Sequence, residues 1–150
     1  MGLPLNSCRL LILSTGFLLL ESSFHTTQSL AAQVLKDHGL GGLGFYSLSV
    51  LYLVLGFSSL IAPAIVDRCG EPLSMFLGTL CYAVYIGSFL AVEIAYGSDT
   101  KTTLIATFII TAAMNGFGAA MLWVAQGKYI SQCASEENKG IFNGIFWAFY

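Results

Sequence analysis

The sequence predicts an all-α protein, a multi-pass bundle of transmembrane helices. Two observations carry this. Charged residues make up 9% and hydrophobic residues 56% of the 150-residue chain, whereas an ordinary soluble domain carries about 25% charged residues. So few charges cannot cover a globule of this size, so lipid is the solvent for most of it. The apolar residues are also gathered into runs of the roughly 20 residues that a helix needs to cross a bilayer.

Four runs qualify, at 10–35, 44–66, 73–95 and 104–126, and a fifth spans 141–150. The first opens with "LLILSTGFLLL", Leu10 to Leu20. Behind "MGLPLNSCR" this resembles a signal peptide, but no convincing small-x-small cleavage site follows and further spans do. The second, "GFYSLSVLYLVLGFSSLIAPAIV", carries Pro63, which either kinks the helix or marks its end. The third, "LSMFLGTLCYAVYIGSFLAVEIA", has Glu93 near its end, reaching for the interface. In the fourth, "LIATFIITAAMNGFGAAMLWVAQ", Asn115 sits mid-span. Ala112, Gly116 and Ala120 recur there every fourth residue, a small-residue stripe that lets helices approach closely. Gly140 and Gly144 form a second such pair at the start of the fifth run. Trp123 and Tyr129 suit an aromatic belt at one membrane face. The fifth run reaches Tyr150 without a polar stop. Residues 1–150 are therefore expected to be a truncated single transmembrane domain.

The connections are short. With the N-terminus inside, Arg9, Arg68, Lys128 and Lys139 fall on the inner side and Lys36 and Lys101 on the outer. Four against two favours a cytoplasmic N-terminus. No basic run tracks a phosphate backbone, so nucleic acid is not an expected partner. Cys8, Cys69, Cys81 and Cys133 have neither C-x-x-C nor His-paired spacing. No metal, no cofactor and no disulfide framework is expected. No nucleophile–base pair or phosphate loop points to an enzyme, and "GFG" at 116–118 lacks the strand that a dinucleotide loop needs.

The first run holds the most informative stretch, "ESSFHTTQS", Glu21 to Ser29. On a wheel at 100° per residue, Glu21, Ser22, His25, Thr26, Gln28, Ser29 and Gln33 share an arc of about 160°. Phe24, Leu30, Ala31, Val34 and Leu35 fall outside it. Ser23 and Thr27 break the pattern, but their hydroxyls can bond back to their own helix. An ionisable group deep in a membrane is costly and normally faces a bundle interior or a water-filled cavity. Glu21, His25, Gln28 and Asn115 are therefore the candidate pathway-lining residues, with Glu21 as a proton or ion handle. The bland alternative is a structural interhelical bond from Glu21, with the last turns of a long helix simply solvated.

"PAIVDRCGEP", Pro63 to Pro72, resembles the loop between helices two and three of the major facilitator superfamily, patterned G-x-x-x-D-R-x-G-R-R. Asp67, Arg68 and Gly70 match; Pro63 replaces the leading Gly, and Glu71–Pro72 the basic pair. The match marks Asp67, Arg68 and Gly70 as an inner-loop gating motif, in which Asp67 is placed to bond a neighbouring helix N-terminus and Arg68 to pair with an acid. Loss of the basic pair should weaken that latch. The stretch "GFGAAMLWVAQGKYISQCASEENKGIFNGIFWAFY" is more specific. Its Trp123, Gln126, Gly127, Tyr129, Gly140, Gly144, Ile145, Phe146, Trp147 and Ala148 resemble the UNC-ninety-three-like (ion channel regulatory protein) branch of that superfamily. The likeness extends over nearly the whole chain.

The resemblance implies twelve helices in two six-helix halves around a midplane site, this chain being the larger part of the first half. It leaves two functions open. One is secondary transport of a small solute or ion. The other is a regulatory or trafficking subunit that binds another membrane protein, such as an ion channel or receptor. The expected partners are thus the lipid bilayer, an unknown small solute or ion, and on the second reading another membrane protein.

Overall fold

A computed structural model describes residues 5–37, 40–95 and 101–150. Five α-helices follow one another: α1 (Leu5–Asp37), α2 (Leu43–Cys69), α3 (Glu71–Ala95), α4 (Lys101–Cys133) and α5 (Lys139–Phe149). Among the described residues, four helices are long and apolar enough to cross a membrane. The chain is a multi-pass helical bundle. Each of the first four helices extends past its apolar run at one end or both, because a helix rim in the headgroup region tolerates polar side chains. The side chain of Glu93 lies outside the described residues, as do residues 96–100 of the loop before α4.

α4 is the central element and packs most extensively against α2 and α3. Its sequence explains this. Ala112, Gly116, Gly118, Ala119, Ala120 and Ala125 are all buried, so that stretch is slim enough for two neighbours to approach. A Cβ at Gly116 would run into the Leu51 carbonyl oxygen and lie 3.1 Å from Val54 Cβ on α2. A Cβ at Gly118 would run into Cys81 of α3. On the facing helix, a Cβ at Gly78 would lie 2.7 Å from the Gly118 carbonyl oxygen. Gly78 and Gly118 carry the α3–α4 contact without belonging to either small-residue pattern read from the sequence. At Gly140 and Gly144 an added Cβ meets nothing within 4 Å in this chain.

One residue joins α2 to α3. Gly70 has φ 83° and ψ 155°, a region open essentially to glycine alone. Its N–H donates to the Val66 carbonyl at 2.8 Å, and its own carbonyl accepts from the Ser74 N–H at 3.1 Å and the Ser74 hydroxyl at 2.8 Å. Gly70 thus ends one helix and begins the next. Pro72 falls in the first turn of α3, where its missing N–H costs nothing. Pro63 lies inside α2 and does not end it.

α1 and α5 lean on the outside of the α2–α3–α4 unit. The seam is aromatic: Phe17 meets Trp123 edge-on at 5.4 Å and Phe146 at 5.2 Å between ring centres. Trp123 is partly buried in this seam. It also stacks on Trp147 at 6.0 Å with the planes 13° apart.

Candidate functional site

The buried stripe of α1 differs from the polar arc read from its sequence. Leu10, Ser14, Phe17, Glu21, Phe24 and Leu35 are buried, and on the 100° wheel they occupy only about 80°. The polar arc overlaps that stripe at Glu21 and Gln28 alone. Ser22, His25, Thr26 and Ser29 are exposed in this chain, whereas Phe24, outside the polar arc, points inward. The reason is the packing partner: the wall facing α1 is built of rings, and Phe17 and Phe24 satisfy it better than hydroxyls. Ser23, Thr27 and Ser29 bond back to the carbonyls of Leu19, Ser23 and His25 at 2.8, 2.7 and 3.0 Å. These bonds let them sit on an apolar helix.

Glu21 is only 6% exposed although it carries a carboxylate. Its partners are few. The Tyr82 hydroxyl of α3 donates to Oε1 at 3.3 Å. His25 Nε2, one turn along α1, stands 3.7 Å from Oε2, and its side chain is 60% exposed. The carboxylate opens onto a cavity of about 220 Å³, room for on the order of ten waters. Glu21, Phe24 and His25 line it from α1, and Leu51, Tyr52 and Leu55 from α2. Tyr82 of α3, Trp123 of α4 and Tyr150 at the end of α5 close the circle. Helices α1 to α4 and the residue that follows α5 thus contribute.

The other candidates separate from this pair. Gln28 lines a smaller cavity of about 50 Å³ with Ser47, Tyr85 and Phe89 among its walls. Ser47 and Tyr85 share a hydrogen bond at 3.3 Å across α2 and α3. Asn115 is fully buried, and neither its amide nitrogen nor its oxygen has a hydrogen-bond partner within the chain. Ala112 and Ala120 are buried on the same helix.

The loop motif also has an arrangement that the sequence concealed. Lys128 of α4 reaches Asp67 Oδ1 at 2.7 Å and Glu71 Oε1 at 2.9 Å. Gln132 Nε2, one turn on, donates to the same Glu71 oxygen at 2.8 Å. Asp67 thus pairs with a lysine side chain, while Arg68 is exposed. Glu71, which stands where the superfamily pattern has a basic residue, is the second anchor. The polarity is inverted: the acids sit on the loop, and α4 supplies the cation. Hydrogen bonding from Lys128 holds the Glu71 carboxyl below the usual carboxylate range. The same bonds, to Asp67 and Glu71, raise Lys128.

Sequence reasoning missed Tyr82, Trp123 and Tyr150 as cavity walls and Lys128, Glu71 and Gln132 as the tie. The four-residue spacing shared by Asp67–Glu71 and Lys128–Gln132, the latter one helical turn of α4, was an available signal.

Comparison with known proteins agrees with this architecture. The family model described as "Ion channel regulatory protein UNC-93" matches residues 41–150. The chain is 34% identical over 142 residues to the "UNC93-like protein MFSD11" of Xenopus tropicalis, covering 93% of this chain and 29% of that protein. It is 36% identical over 150 residues to the "Protein unc-93 homolog A" of Xenopus laevis, covering 94% and 29%. It is 30% identical over 149 residues to the "UNC93-like protein 3" of Arabidopsis thaliana, covering 93% and 29%. The chain thus spans under a third of the length of these relatives. No solved structure matches it significantly. The chain belongs to the UNC-93 family, a branch of the major facilitator type.

Proposed function

We propose that this chain forms part of a secondary transporter of a small solute or ion, with Glu21 as the ionisable group of the pathway. The observation that carries the reading is the buried Glu21 carboxylate facing a cavity lined from α1, α2, α3 and α4. A carboxylate with one long hydrogen bond is expensive inside a membrane protein. A cavity that admits water, a proton or a solute relieves that cost. The imidazole of His25 and the hydroxyl-bearing rings of Tyr52, Tyr82 and Tyr150 are the other polar side chains of the cavity wall. In this reading Gln28 and Asn115 are polar positions reached in other states of the pathway, and the Asp67–Arg68–Gly70 loop gates the inner side. Ala112, Gly116 and Ala120 serve helix packing. The N-terminus is cytoplasmic, and the protein performs no covalent chemistry.

The alternative is a non-transporting regulatory or trafficking subunit of an ion channel or receptor complex. The description of the matching family, ion channel regulatory protein, favours it. Thermal stabilisation of the full-length protein in detergent, against a solute and ion library across pH, separates the two. Binding to the folded state raises Tm by mass action. A pH-dependent shift that disappears in Glu21→Gln supports transport. Stabilisation by no solute, with an intact partner complex, supports the regulatory subunit.

A further inference from the structure

We propose that the Glu21 cavity takes an organic cation, a substituted ammonium seated against the carboxylate and enclosed by aromatic rings. The inference rests on the solute-pathway reading and deepens it by naming the class of solute.

Three features of the cavity argue for this class. The first is charge. Among the described residues, Glu21 is the only carboxylate that lines it, and no lysine or arginine does. The imidazole of His25 stands beyond hydrogen-bond distance and mostly outside. An anion entering here would meet an uncompensated negative group with no cation to receive it. The second feature is the wall. Phe24, Tyr52, Tyr82, Trp123 and Tyr150 supply five rings around one carboxylate. Ring faces carry negative quadrupole density, so they attract a cation and repel an anion. Recognition of quaternary ammonium groups by aromatic cages uses this physics. The third feature is rigidity. Phe24 meets Tyr82 edge-on at 5.0 Å, and Trp123 meets Tyr150 edge-on at 5.4 Å. Trp123 is also held by Phe17 and Trp147. The rings brace one another, so little order is lost when a ligand binds. A neutral polyol would leave the charge on Glu21 uncompensated, because among the described residues Tyr82 alone hydrogen-bonds it, at 3.3 Å.

The test compares shape-matched probes on the purified full-length protein. Choline carries a trimethylammonium group, 3,3-dimethyl-1-butanol replaces that nitrogen with carbon, and 3,3-dimethylbutanoate is the anionic counterpart. Tetraethylammonium serves as a second cation. Saturable stabilisation by a cation, at least ten-fold tighter than by the neutral isostere, is expected. Glu21→Gln should weaken the cation at least ten-fold and leave the isostere unchanged. Trp123→Leu should weaken the cation more than Trp123→Phe does, which keeps the question open to test should Glu21→Gln express poorly. Equal binding of cation and isostere, tighter binding of the anion, or no stabilisation by either cation overturns the proposal. The two readings fail separately. Glu21-dependent flux of a neutral or anionic solute removes the cation class and leaves transport standing. Glu21-dependent cation binding without flux in proteoliposomes keeps the site and removes transport.

Discussion

Gly116→Ala tests the packing of the bundle at a point of close helix approach. A Cβ there runs into the Leu51 carbonyl oxygen and lies 3.1 Å from both the Leu55 nitrogen and Val54 Cβ. Two of these neighbours are backbone atoms of α2, so relief requires α2 to move as a body. Overpacking of a closely fitted interior costs about 1–3 kcal/mol, and a contact with backbone belongs at the upper end. Replacing a helical glycine by alanine returns about 0.8–1.0 kcal/mol in propensity. The net expectation is a loss of about 2 kcal/mol. One kcal/mol shifts Tm by about 2–4 °C at 150–250 residues and by less in a longer chain. Gly116→Ala should therefore lower Tm by a few degrees in a detergent melt of the full-length protein. Gly144→Ala is the control with the opposite sign, because its new methyl meets nothing within 4 Å of this chain. It should be neutral or raise stability by up to about 1 kcal/mol. A neutral Gly116→Ala beside a destabilising Gly144→Ala would refute the reasoning, since the close approach would then lie on α5.

Two further predictions concern the inner end of the bundle. Gly70→Ala places a Cβ on a residue at φ 83° and ψ 155° and should cost about 1–3 kcal/mol, read as a lower midpoint in a denaturant melt. An unchanged midpoint would mean that the α2–α3 joint relaxes freely. The Lys128 tie should depend on pH with a definite sign. Glu71 is held below its ordinary value in the folded protein, so its contribution is present above the unfolded carboxylate pKa and is lost as pH falls through the lower folded value. The stability difference between wild type and Glu71→Gln should therefore shrink on acidification below about pH 4.5, the ordinary value for the group. A difference that stays constant down to strongly acid pH would contradict the ion pair.

The helices were legible in the sequence for a simple reason. Apolar runs of membrane length leave the backbone no alternative to a helix, since every N–H and C=O must be satisfied internally. Helix ends were less legible, because Lys128 and Gln132 continue α4 beyond its apolar run by using their side chains on Asp67 and Glu71. Within the site, Glu21 was conspicuous as an acid after the uncharged run Leu10 to Leu20. Tyr82 and Trp123 were not, because an aromatic residue in an apolar run reads the same whether it faces lipid or a cavity. The wheel of α1 gave the right residue with the wrong breadth. It grouped hydroxyls with the carboxylate, whereas these hydroxyls satisfy themselves on their own helix and leave the inward face to rings. The inverted tie was hidden for a different reason: its partners lie 61 positions apart.

The central claim is that the ring-lined space beside Glu21 is open to water and solute. The most direct test is cysteine accessibility, on a background in which Cys8, Cys69, Cys81 and Cys133 are alanine. Leu51→Cys and Leu55→Cys place a thiol on the cavity wall, and Leu53→Cys places one on the outward surface of the same helix, where Leu53 is exposed. The account predicts that a membrane-impermeant thiol reagent modifies the first two in intact membranes, that choline slows this modification, and that Leu53→Cys stays unmodified. Modification of Leu53→Cys alone, or of none of the three, would contradict it.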